Sequence, residues 1–290
     1  MSWTAHNLMS RFLIARLGTP EQQAALLPAM ATGALVTAVA ISEPDAGAHP
    51  KLLRTTARRD GGDYVIDGTK QWVTNGTTAG IYVVLAITGE QDGRKAFSAL
   101  LVPRDAPGLR VEPMTEFTAL HSSPHARLHL DGCRVPHAAL LGAEGEGFET
   151  IGRPLREVED AINLGALSGG LQALLRRLAR GARGDDAELV DTLGGLQAQV
   201  DGMAALAQAV AVALDAGTRG EPLHRLTLAG RAWARQFQSQ VEWVRKGKGL
   251  QEDATLGRWT QDLDVIVNLS RRIDQGRLHR MGEALINEVS

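Results

Sequence analysis

Cysteine is almost absent from this 290-residue chain: Cys133 stands alone. An intramolecular disulfide framework and a multi-cysteine metal site are thereby excluded, and a reducing compartment, the cytoplasm, is the expected location. Net charge is nearly absent too. The chain has 31 Lys and Arg against 33 Asp and Glu, so nothing in the balance draws it to nucleic acid or to an anionic membrane. No window of 18 apolar residues is free of charge, and no bilayer span is expected. The opening MSWTAHNLMSRFLIARLG carries polar or charged residues every few positions, without the apolar stretch and small-residue cleavage site of a secretory leader. Internal repeats and low-complexity tracts are missing as well.

What is present is a globular composition, 44% hydrophobic, enough to bury a sizeable core in one large or two or three packed domains. Residues 6–34 read as two helical pieces. Leu8, Phe12, Leu13 and Leu17 recur at helical spacing before Gly18, and Thr19-Pro20 then supplies an N-cap and a first-turn proline for a short helix through Leu27. From Ala34 to about Gly142 the texture changes to VTAVAIS, YVID, IYVVLAI and SALLV, separated by DGGD, NGTTAG and EQDGRK, the pattern of a compact antiparallel β-domain. From Glu149 onward apolar residues return to helical spacing, with breaks at 180–186, 215–222 and 246–249, the pattern of a helical bundle. The stripe Val200, Met203, Leu206, Val210 and Leu214 reads as bundle core or as a subunit interface.

Three segments in one order, AISEPDAGAHP (40–50), YVIDGTKQWVTNG (64–76) and SALLVPRDAPGLRVEP (98–113), resemble the middle β-domain of the FAD-dependent acyl-CoA dehydrogenases. LHLDGCRVPHAALLGAEGEGF (128–148) is similar to the family's exit from that domain. The resemblance implies an α+β fold: a short N-terminal helical segment (1–34), an antiparallel β-barrel-like middle domain (35–147) and a C-terminal four-helix bundle (148–290). In the family several more helices precede the point matching residue 1 and cover one side of the acyl and flavin pocket. That wall is then expected to be missing or supplied by another chain.

The resemblance also implies residue roles. Trp72 shields one side of the flavin ring and Thr74 bonds its polar edge; the alternative is an ordinary strand aromatic and the start of an Asn75-Gly76 turn. Ile41, Ser42, Gly47 and Ala48 line the cofactor, Ser42 standing where relatives carry Thr. Ala48 replaces the serine whose hydroxyl helps hold the pyrophosphate, and His49 is either a nearby donor or a loop histidine. A carboxylate base must remove the substrate's α-proton. The usual late Glu has no counterpart, and aligning EDAINLGALSGG with a helical segment after the β-domain puts Glu159 at the base position, with Asp160 where Arg is customary. Gly165, Gly169 and Gly170 would then allow close backbone packing. The alternative is that Glu157, Glu159 and Asp160 are surface charges near a helix N-terminus. A family Arg-x-x-Phe-Gly segment is reduced to Arg183-Gly184, and its glycine-rich loop to Lys246-Gly247-Lys248-Gly249, with Gln261-Asp262 where Arg-Asp is usual.

Three functions follow from the resemblance: FAD-dependent α,β-dehydrogenation of an acyl-CoA or other acyl thioester, with an electron-transferring flavoprotein as acceptor; a catalytically silent subunit pairing with a competent homologue; or a flavin-dependent monooxygenase. A homo-oligomer, or a hetero-oligomer with a full-length homologue, is expected.

Overall fold

In the computed structural model, which describes residues 5–181, 186–247, 253–268 and 271–289, the first helix stops where the sequence says it should. A π-helical turn, Ala5–Ser10, runs into α1 (Arg11–Leu17), capped by Gly18. Leu13 and Ile14 are the buried face of α1, and Phe12, expected on that face, is 45% exposed. Thr19 and Gln22 form a reciprocal capping box with Pro20 in the first turn of α2 (Pro20–Thr32). This helix continues past Leu27 despite Pro28 and ends at Gly33, whose φ of 77° lies in the left-handed region.

Two compact units follow from the packing, Met1–Arg156 and Glu157–Ser290. The first holds an eight-stranded sheet: β1 (Thr37–Ala40), β2 (Thr56–Asp60), β3 (Asp63–Thr74), β4 (Ile81–Gln91), β5 (Arg94–Pro103), β6 (Leu109–Pro113), β7 (His125–Pro136) and β8 (Leu140–Leu141). The order is β6-β7-β3-β2-β4-β5-β8, with β1 on β4. Pairing is antiparallel except for β1 and β2, which both run parallel to β4. The middle of β4, Tyr82–Ala86, is buried throughout, as its unbroken apolar run requires. The EQDGRK turn joins β4 to β5 with Asp92 at φ 50° and Gly93 at 70°, the paired positive φ of a tight hairpin. β2 escaped the apolar-run reading because only Ala57 of TARRD is buried.

The second unit contains most of α3 (Arg153–Gly181), with α4 (Ala187–Asp215), α5 (Glu221–Gly247), α6 (Ala254–Asn268) and α7 (Arg271–Val289). Helices α3 to α6 account for the four expected, and α7 adds a fifth among the described residues. Val200, Met203 and Val210 are buried in the core, with Leu206 and Leu214 packed against it, so the stripe is bundle interior. The expected close packing at Gly165, Gly169 and Gly170 is not found: a Cβ at any of the three would meet nothing within 4 Å. These glycines lie off the buried stripe Ala161, Leu164, Leu167 and Leu171. The close approach is at Gly230 of α5, where a Cβ would come within 2.5 Å of the Leu164 Cδ2. No described helix is long and apolar enough to cross a membrane.

Candidate active site

The β3–β7 ladder loses register between Lys70 and Val73, which puts Gln71 and Trp72 in a bulge. Trp72 adopts φ 61°, a left-handed conformation that costs a residue with a Cβ about 1–2 kcal/mol. Past the bulge, strand alternation sends Val73 and its ladder partner Ala126 into the core, at 1% and 0% exposure. Thr74 and its partner His125 therefore share the other face. The Thr74 Oγ1 lies 3.3 Å from the His125 Nε2. The Trp72 ring is 47% exposed; it meets Phe117 edge-on at 5.3 Å and His125 at 6.5 Å between centroids. Phe117 and His125 pack edge-on at 5.1 Å. Burial lowers the His125 pKa, which favours the neutral imidazole.

A buried ion pair fixes the ISEP segment beside this bulge. Lys70 Nζ donates to Glu43 Oε1 at 2.8 Å and to the Ile41 carbonyl at 3.0 Å. Glu43 also accepts the Arg54 and Thr55 backbone N–H groups at 2.7 and 3.0 Å. Burial drives Lys70 down to about 8, with the Glu43 charge pulling the other way. For Glu43 burial works against ionisation, but the Lys70 ammonium and the Thr55 hydrogen bonds outweigh it and hold the carboxyl below the usual range. The Gln71 N–H donates to the Ser42 carbonyl at 2.8 Å, so half-buried Ile41 and Ser42 are tied to the strand that carries Trp72 and Thr74.

Gly47 and Ala48 lie beyond this tie, on a small loop closed by reciprocal backbone bonds between Glu43 and Gly47 at 2.9 and 3.0 Å. The Gly47 N–H is engaged in that closure. Its φ is 54°, and a Cβ there would meet nothing within 4 Å. His49 is exposed.

Glu159 lies in the second unit, half-buried on α3. The buried carboxylate is its neighbour Asp160, at 7% exposure, which corrects the reading of Asp160 as a surface charge. Asp160 Oδ1 is 3.0 Å from an Arg231 guanidinium nitrogen, and its Oδ2 accepts from Arg277 at 3.0 Å. Arg231 continues to Asp274 through two bonds of 2.9 and 2.6 Å, a network across α3, α5 and α7. Glu157 Oε1 is 3.8 Å from the His224 Nε2. Lys246 and Gly247 close α5 and Gln261-Asp262 lie on α6, whereas Arg183-Gly184 and Lys248-Gly249 fall outside the described residues.

Sequence reasoning missed Lys70, Glu43, His125 and Asp160 as site or scaffold residues. A signal existed for Lys70 and Asp160, since each is a charge at a position whose period belongs to the buried face. None existed for His125, whose neighbour in space is 51 residues away.

Residues 38–133 match the family model described as "Acyl-CoA dehydrogenase, middle domain". A probable acyl-CoA dehydrogenase of Mycobacterium leprae is 28% identical over 260 residues, 86% of this chain and 66% of that protein. An acyl-CoA dehydrogenase crystal structure from Geobacillus kaustophilus superposes with TM-score 0.85 at 25% identity, covering 97% of this chain and 77% of the other. A Mycobacterium smegmatis glutaryl-CoA dehydrogenase in complex with FADH2 gives 0.82 at 26%, covering 96% and 72%. The chain spans less than two thirds of the length of the curated relatives it matches.

Proposed function

Since the chain belongs to the acyl-CoA dehydrogenase family, we propose that it is an FAD-dependent oxidoreductase that introduces an α,β double bond into an acyl thioester. The observation that carries this reading is the bulged stretch of β3, where the half-exposed Trp72 and the Thr74 hydroxyl both have His125 as a neighbour and the Gln71 N–H holds the Ser42 backbone to the strand. A flavin ring needs an apolar slab and a few fixed polar groups at its edge, and these residues fit it. Trp72 covers a face, Thr74 and Ser42 address the polar edge, and Ile41 lines the side. The loop meant for the pyrophosphate fits less fully: Ala48 has no hydroxyl and the Gly47 N–H is used within the loop, so the ring end supplies most of the grip.

FAD, when bound, supplies the acceptor for the substrate's β-hydrogen as hydride. Glu159 is the proposed base for the α-proton. It is half-buried on α3, next in sequence to Asp160 of the Asp160–Arg231–Arg277 network. The segments 1–34, 35–147 and 148–290 are read as the family's successive domains, and an electron-transferring flavoprotein, a reducing compartment such as the cytoplasm and a homo-oligomer complete the proposal.

The test is the visible spectrum of purified protein with FAD, before and after anaerobic addition of acyl-CoAs. Flavin bands that bleach with an acyl-CoA, and fail to bleach in Glu159→Gln, support the reading; no bound flavin overturns it. Ala48 and the closed Gly47 loop favour a second reading, a silent subunit completed by a homologue. It predicts flavin binding only in the presence of that partner.

A further inference from the structure

We propose that His125 is a positioning residue for the Thr74 hydroxyl, setting whether that hydroxyl offers a proton or a lone pair to the ligand on the Trp72 face. The inference rests on the flavin reading of that face, and it adds a residue that neither the resemblance nor the family match assigns a role.

Thr74 and His125 are directly opposed across the last rung of the β3–β7 ladder, with Oγ1 and Nε2 at 3.3 Å. The ladder fixes their backbones, and packing fixes the imidazole: Phe117 meets it edge-on at 5.1 Å and Trp72 at 6.5 Å. A threonine hydroxyl has one proton to give. When Nε2 carries no proton it accepts a hydrogen bond from the Thr74 hydroxyl, and Thr74 can then only accept from a ligand. When Nε2 carries the proton it donates to Oγ1, and the Thr74 proton is free to point outward. The histidine thus selects the hydrogen-bond polarity of the Thr74 hydroxyl, while its own ring need not touch the ligand.

A double-mutant cycle on the full chain tests this, with the FAD dissociation constant read by flavin fluorescence and the shape of the bound flavin spectrum as a second signal. His125→Leu is expected to weaken FAD binding by about three- to tenfold, the loss of one oriented hydrogen bond, and to shift the bound-flavin absorption bands. On a Thr74→Val background the same change is expected to have no further effect. His125→Gln, which keeps a polar atom in reach of Oγ1, is expected to restore both readouts toward wild type. It also controls for misfolding, monitored by thermal unfolding. Additive effects of His125→Leu and Thr74→Val, or no rescue by His125→Gln when both variants fold, overturn the positioning role while leaving the flavin reading intact. A wild-type chain that binds no FAD removes both.

Discussion

Lys70 shows how much depends on one side chain. It is fully buried, and its pairing with Glu43 joins the Gln71–Ser42 backbone bond in tying the ISEP loop to the bulged strand. Lys70→Met leaves a buried carboxylate without its counter-ion, and an unfolding free energy lower by about 3–5 kcal/mol is expected in urea titrations. The double variant Lys70→Met/Glu43→Gln is expected to recover part of that loss, because no uncompensated charge remains. The pair also sets an acid limit. The folded Glu43 carboxyl titrates below the ordinary carboxylate range, so between the two values the unfolded chain holds more protons than the folded one. The Glu43 contribution is therefore complete above the unfolded value and is lost as pH falls through the folded one. Melting curves across acid pH should show Glu43→Gln with a flatter acid limb than wild type. Trp72→Gly tests the bulge itself. Relief of about 1–2 kcal/mol of left-handed strain offsets the loss of two aromatic contacts worth about 0.5–1.5 kcal/mol each. A net change between a gain of about 1 and a loss of about 2 kcal/mol is expected, together with weakened FAD binding.

Among the elements, those whose residues have one clear period were legible. Gly18, the Thr19-Pro20 cap and the Val200 to Leu214 stripe read correctly because each is a local signal, and β4 and β5 read as strands because their apolar runs are continuous. β2 was invisible, since its pairing with β3 and β4 rather than its own composition makes it a strand. The candidate site was half legible: Trp72 and Thr74 lie on β3 and Ser42 is bonded to it through Gln71, but the ion pair that anchors the ISEP segment joins positions 27 residues apart. The glycines of the bundle misled, because Gly165 and Gly169 look like packing residues and face open space. Replacing Gly165 or Gly169 with Ala should raise stability by about 0.5–1 kcal/mol each, as helix propensity requires. Gly230→Ala should lower it by about 1–3 kcal/mol, since Leu164, at 1% exposure, has little room to retreat. Chemical denaturation of the three variants distinguishes the two kinds of glycine.

For the molecule as a whole, a ligand that binds only the folded chain must raise its stability, by about 2.7 kcal/mol at a hundredfold excess over the dissociation constant. Titrating FAD against the thermal midpoint should give a rise that continues with concentration, and a midpoint unmoved at every concentration contradicts a flavin site. The ladder between β3 and β7 bears on how that site comes into being. Its final rung joins residues 51 apart in sequence, and closing a loop of that size costs on the order of 3–4 kcal/mol of chain entropy before any contact compensates it. β1 and β2 add non-local pairings of their own to β4, so the first unit has the high contact order of a slow folder. The Thr74–His125 rung is expected to close late, once the intervening hairpins have shortened the loop. On the proposed function, FAD capture is then expected to be a late event in folding, coming after the sheet has begun to form.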